Sequence, residues 1–196
     1  MLAWIDLETT GLDPRADSIL EVAAIVTDDA LQEVARFHRI VFWGAARYFA
    51  ALQTLSAEEK IFSEQDIAEL DPVVVHMHTK NGLWKEAATT PCNIGYADGI
   101  LRNFLDRFSA GPQGQKAQMA GSTITLDREF MRIHLPRSLE ALHYRSIDVT
   151  TMHELARRFW PTLHQEAPAK REMHRAIPDI EDSLALCRYY TTRLSA

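Results

Sequence analysis

The apolar run Leu2-Ala3-Trp4-Ile5 leads directly into Asp6-Leu7-Glu8. Such a run, closed by two alternating carboxylates, predicts a short buried β-strand at the start of the chain. Strand side chains alternate between faces, so Asp6 and Glu8 point the same way at its end. Two carboxylates held together repel, and a divalent cation between them removes that cost. The pair therefore reads as half of a hard-metal site. Asp127, His174 and Asp179 are the later residues that can complete it. Together the set suggests metal-assisted cleavage of a phosphodiester.

With 196 residues, 46% of them hydrophobic, the default is one α/β domain with a full core. Asp6 falls where a signal peptide needs its apolar centre, and no basic segment precedes it. No uncharged apolar stretch reaches the roughly 18 residues of a membrane span. Cys92 and Cys187 match no zinc or redox spacing and read as two reduced thiols. A cytoplasmic protein that engages no membrane is expected. The net charge of −6 is uneven: residues 1–126 carry 10 Lys+Arg against 17 Asp+Glu, residues 127–196 carry 11 against 10. Proteins that grip a long polyanion are usually basic. A nucleic-acid substrate would therefore be a short piece held by a few placed contacts, and an ordinary acidic enzyme explains the charge equally well.

Residues 2–7, 18–27 and 34–42 read as a meander of three strands. Ser56-Ala57-Glu58-Glu59 resembles a capping box, predicting a helix to about residue 70, ended by Asp71-Pro72. Residues 76–93 are Gly/Pro-punctuated and are expected as a mobile loop on the substrate side. Apolar spacing at Ile100, Leu101, Phe104, Leu105 and Phe108 predicts an amphipathic helix. A strand over 117–121, helices over 125–133 and from Pro136 to about His143, and a strand over 145–149 follow. Thr151-x-x-Glu154 predicts a capped helix through Phe159, stopped by Pro161. Residues 162–173 read as an exposed connection, and a last helix as running from about Ala176 to Arg193. The expected architecture is a mixed central sheet flanked by helices.

Each acidic pattern is weak alone, because the chain holds decoys. Asp179-Ile180-Glu181 repeats Asp-x-Glu, and His143 and Asp148 repeat the spacing of His174 and Asp179. Asp6-x-Glu8 follows a buried strand, whereas residues i and i+2 diverge on a helix. His174 and Asp179 flank a predicted helix start, where both can face one cleft.

The ordered series is distinctive. Ile5-Asp6-Leu7-Glu8-Thr9-Thr10-Gly11-Leu12 resembles the first motif of the DEDDh (DnaQ-like) 3′–5′ exonucleases. Ala120-Gly121-Ser122-Thr123-Ile124-Thr125-Leu126-Asp127 resembles the second, and His174-Arg175-Ala176-Ile177-Pro178-Asp179-Ile180 the third. His76-Met77-His78-Thr79-x-x-Gly82-Leu83, Leu142-His143-Tyr144-Arg145-x-Ile147-Asp148-Val149-x-Thr151 and Arg188-Tyr189-Tyr190 are similar to oligoribonucleases within that superfamily. The resemblance covers nearly the whole chain. It implies an α/β, RNase H-like fold over residues 1–196 as a single domain.

It also implies Asp6, Glu8, Asp127 and Asp179 as ligands of two divalent cations, Mg²⁺ or Mn²⁺, with His174 as general base. Leu12 would wedge between two bases, or is a core leucine. Tyr144 and Arg145 would reach the partner's active site in a homodimer and contact substrate phosphate. Thr123 and Thr151 hydroxyls would bind phosphate as well. The implied activity is removal of 5′-mononucleotides from the 3′ end of short single-stranded RNA, down to dinucleotides. The alternative is a broader exonuclease trimming single-stranded DNA or longer RNA. Four departures bear on substrate range: Ser122-Thr123 where Asn-Ser is common, Val73-Val74-Val75 where many members place a Trp, Pro178 before Asp179, and a longer segment 43–66.

Overall fold

In the computed structural model the described residues are 1–42, 71–111 and 113–194. The helix expected over 56–70 and the long segment 43–66 lie outside them. Five strands form one sheet: β1 (Leu2–Thr9), β2 (Ile19–Thr27), β3 (Glu33–Ile40), β4 (Gln118–Gly121) and β5 (His143–Asp148), in the order β3-β2-β1-β4-β5. β3, β2 and β1 form the expected antiparallel meander, while β4 and β5 run parallel to β1. The mixed sheet follows from the connections. Two short turns join the meander, whereas helical crossovers precede β4 and β5.

Alternation along β1 sorts the core. Ala3 and Ile5 pack on one face with Met119, Leu101, Leu105, Phe130 and Met131. That face is covered by α3 (Ile94–Phe108), α4 (Ile124–His134) and α5 (Pro136–Glu140). Trp4 packs on the other face with Ile25, Val149, Ile180 and Leu184, beneath α6 (Val149–Phe159) and α8 (Ala176–Leu194). The Trp4 indole N–H, fully buried, donates to Thr27 Oγ1 at 3.0 Å, so its desolvation is compensated. Every residue of β2 is buried, as expected of a strand covered on both faces.

Residues 76–93 are not a loop. They form most of α1 (Pro72–Lys80) and α2 (Leu83–Thr89). Asp71-Pro72 begins a helix: the Asp71 carboxylate accepts the Val73 N–H at 2.8 Å, and Pro72 fills the first turn, where no N–H is needed. Gly82, at φ +79, makes the corner between the two helices. Leu83, Trp84 and Ala87 then bury against Leu20.

α6 also starts earlier than expected. Asp148, not Thr151, is its N-cap, accepting from Thr150 N–H at 2.9 Å. The decoys His143 and Asp148 stand at the two ends of β5. The connection 162–173 contains one short helix, α7 (Pro161–Gln165).

Candidate active site

Trp4, Asp6 and Glu8 share one face of β1, the face that α8 covers. β4 pairs with β1 only through Leu2–Trp4. Beyond that point the two strands part, and among the described residues the C-terminal end of β1 pairs with a strand on one side alone. This is where strand order reverses around β1, the usual place for a ligand crevice in such sheets. Gly121 lets the end of β4 lie close against β1 just before the strands part. A Cβ there would stand 3.0 Å from the Ile5 carbonyl and 2.8 Å from Ile124 Cδ1.

Asp127, on the first turn of α4, occupies the gap. Its Oδ1 accepts the Leu7 N–H at 3.0 Å, replacing the backbone acceptor that β4 no longer supplies. Asp179 enters from the first turn of α8. One carboxylate oxygen each from Asp6, Glu8 and Asp179 lie within 4.8 Å of one another. The structure thus gathers three of the four expected carboxylates within 4.8 Å and ties the fourth to the same strand. An all-oxygen set of this size fits a hard divalent cation.

The electrostatics are those of uncompensated acids. Burial, then the charges of Asp127, Glu8 and Asp179, hold the Asp6 pKa well above the carboxylate range. Burial and the charges of Asp179 and Glu21 push Glu8 up to about 8. Burial raises Asp127 to about 7 despite the Leu7 N–H. Asp179 is raised by burial and relieved by Lys170 and His174. Lys170, whose Nζ lies 3.8 Å from Asp179 Oδ1, eases Asp6 and Asp127 too.

His174 is exposed and lies just before α8, with its backbone at φ +49. It borders a cavity of about 480 Å³ between its own loop and α1, lined also by Val73, His76, Met77 and Asn81. Arg175 bolts this loop down. Its guanidinium binds Glu21 at 3.0 Å and Glu86 at 2.9 Å. Glu21 is buried on β2, opposite Glu8. Burial pushes its pKa up, but hydrogen bonds from His38 and Arg175 outweigh that and keep it low.

His78, expected in a loop, is fully buried on α1. Its Nε2–H donates to the Thr9 carbonyl at 3.0 Å, and burial holds its pKa below the ordinary histidine value.

The expected substrate residues are more scattered. Leu12 is 73% exposed, so it is not a core leucine. Thr123 borders a second cavity of about 260 Å³ together with Ser122, Thr150, Lys170 and Ser183. Thr151 lines an adjoining depression together with Thr123, Thr150, Glu154 and Arg158. Tyr144 and Arg145 are exposed on β5, the sheet edge, with β4 between them and β1. The Arg145 guanidinium sits 5.4 Å from the Tyr144 ring centre.

Sequence reasoning missed Glu21, Asn81, Thr150 and Lys170. Glu21 alone carried a signal: one carboxylate inside the apolar run Ile19-Leu20-Glu21-Val22 must have a partner.

The Exonuclease (RNase_T) family pattern matches residues 3–43. An oligoribonuclease of Corynebacterium glutamicum is 33% identical over 189 residues, covering 96% of this chain and 77% of that protein. One from Mycobacterium leprae is 31% identical over 189 residues, with 96% and 79% covered. Among solved structures, the zinc-bound E. coli exonuclease I complex with single-stranded DNA superposes with a TM-score of 0.68 at 15% identity. It covers 99% of this chain and 41% of that one. Exonuclease I from Methylocaldum szegediense gives 0.65 at 20% identity, with 99% and 41% covered. The chain therefore spans about two fifths of these exonuclease I chains, and the likeness establishes the RNase H-like exonuclease fold. With the identity and coverage of its bacterial relatives, it belongs to the oligoribonuclease family.

Proposed function

We propose that this chain is a 3′–5′ exoribonuclease that hydrolyses short single-stranded oligoribonucleotides to 5′-mononucleotides. The observation that carries the reading is the convergence of Asp6, Glu8 and Asp179 within 4.8 Å at the parted end of β1, in a chain of the oligoribonuclease family. Asp6, Glu8, Asp127 and Asp179 would hold two cations, Mg²⁺ or Mn²⁺. When bound, these supply positive charge to the phosphate and to the departing 3′ oxygen. The raised pKa values fit that role, since acids held against one another gain most from a cation.

His174 takes a proton from the attacking water at its imidazole nitrogen. The water oxygen bonds to phosphorus, the P–O3′ bond breaks, and the departing 3′ oxygen takes up a proton from solvent while His174 later returns its own to water. The products are a 5′-mononucleotide and a chain one residue shorter. Leu12, exposed four residues beyond Glu8 in the sequence, would separate two bases. Thr123 and Thr151 offer hydroxyls to phosphate, and Thr150 stands beside both along the same rim. Arg145 suits bidentate phosphate contact. Residues 1–196 act as one domain. A second copy of the chain brings Tyr144 and Arg145 to the substrate, because both stand at the sheet edge. Cys92 and Cys187 are buried free thiols, in keeping with the reducing cytoplasm we assign to it. Among the described residues no helix is long and apolar enough to cross a membrane.

The test is to incubate the chain with end-labelled RNA and DNA of two to about twenty nucleotides, with Mg²⁺ or Mn²⁺, and compare initial rates. Rates that fall steeply with length and favour RNA support the proposal. Rates that hold or rise with length, or match on DNA, favour the broader exonuclease.

A further inference from the structure

Asn81 stands at the corner between α1 and α2 and grips the backbone of His174. Its Nδ2 donates to the His174 carbonyl oxygen at 2.6 Å. Its Oδ1 accepts the Leu83 N–H at 3.1 Å, so the two ends of the amide have distinct partners and its orientation is determined. Its own N–H closes the last turn of α1 on Met77. All three of its hydrogen-bonding groups named here are engaged, and only one of them leaves the corner.

That one contact lands on a strained residue. His174 holds φ +49, and Glu172 two residues earlier holds φ +52. Side-chain-bearing residues occupy this region when surrounding contacts over-determine them, and such positions gather at functional sites. Arg175 fixes the chain immediately after His174 through Glu21 and Glu86, and its Nη1 reaches the Asn81 carbonyl at 3.4 Å. Without Asn81, the nearest anchors of His174 would be Arg175 after it and Arg171, three residues before it, which binds Asp182 and Glu181. The direction of the imidazole depends on that backbone, because a left-handed residue projects its side chain differently from an extended one.

We propose that Asn81 is a positioning residue for His174, its side-chain amide holding the left-handed backbone that aims the imidazole at the acid cluster. The proposal rests on the reading of His174 as general base. It gives the α1–α2 corner a task in the chemistry, although the corner touches none of the four carboxylates proposed as ligands through Asn81.

Asn81→Asp tests it. The substitution keeps the acceptor for Leu83 and the size of the side chain, and replaces the donor to His174 by an oxygen that repels the carbonyl. Turnover of a dinucleotide should fall ~10-fold or more, since small displacements of a reacting group are costly. KM and calorimetric Mn²⁺ affinity should stay within about twofold. In a His174→Ala background the same substitution should cost less than about twofold, because a residue that acts through a partner has no effect once the partner is gone. The His174 ring resonance in the substrate-free protein should shift. Equal losses in both backgrounds, or no loss in the parent, overturn the proposal. If Asn81→Asp does not fold, Asn81→Ala enters the same cycle. If His174→Ala alone leaves turnover intact, the base assignment fails, and the ring resonance judges the clamp by itself: an unchanged signal in Asn81→Asp rejects it.

Discussion

Asp127 has two jobs that a single substitution can separate. Its Oδ1 accepts the Leu7 N–H, and its charge adds to the acid cluster. Asn keeps the acceptor and loses the charge. Asp127→Asn should fold normally and lose nearly all turnover; retention of more than a tenth of the parent rate, under ~1.4 kcal/mol of barrier, contradicts the assignment. His174→Ala should lower the maximal rate about 10²–10⁴-fold, the usual range for a general base, with partial recovery at high pH and unchanged Mn²⁺ affinity. Glu8 offers a pH signature. Its folded pKa, about 8, lies above the ordinary 4.5. The folded state therefore binds its proton more tightly than the unfolded chain, and that contribution to stability is complete below the unfolded pKa and disappears as pH rises through about 8. In chelator, Glu8→Gln should melt increasingly above the parent as pH climbs from 5 to 8.5. A gap that is constant or shrinks argues against the raised pKa.

Among the elements, β1 and α8 were the most legible. An apolar run closed by two alternating acids can be little else than a strand end, and the start of α8 near Ala176 follows from periodicity after a polar stretch. The α1–α2 pair was not legible because Asp-Pro serves equally as a helix stop and a helix start. Only the burial of His78 and Trp84 marks a packed helix pair after it. The α6 cap was ambiguous for a related reason. Thr151 had the capping-box spacing, but Asp148 also accepts the Thr123 N–H at 3.1 Å, a contact between elements that no local pattern encodes. Likewise the sequence orders Asp6, Asp127 and Asp179 without stating their separation, and it holds no hint that His174 would adopt a left-handed backbone. The Glu21–Arg175 pair is an element-level bolt between β2 and the start of α8. Arg175→Met should strip a buried carboxylate of its main partner and cost about 3–5 kcal/mol in denaturant melts. A loss below ~1 kcal/mol would mean that His38 alone suffices.

For the molecule as a whole, β5 presents an outer edge. Tyr144 is 72% exposed, and Ile147, Leu155 and Phe159 are exposed nearby in the sequence of β5 and α6. Exposed apolar groups at a strand edge that no described residue pairs with are what a two-fold partner covers. Mixing inactive Asp127→Asn with inactive Arg145→Ala should restore activity, because an exchanged dimer contains one site with both parent elements and one with neither. No recovery after verified exchange, or a monomer by light scattering, removes the shared-site reading. The short length of β4, Gln118–Gly121, has its own consequence. Two more rungs of pairing to β1 would complete the weave of the sheet and seal the notch in which Asp127 meets Leu7. The better fabric would be inert. The chain becomes a nuclease by leaving its central seam unfinished, and selection for a more regular sheet would here be selection against catalysis.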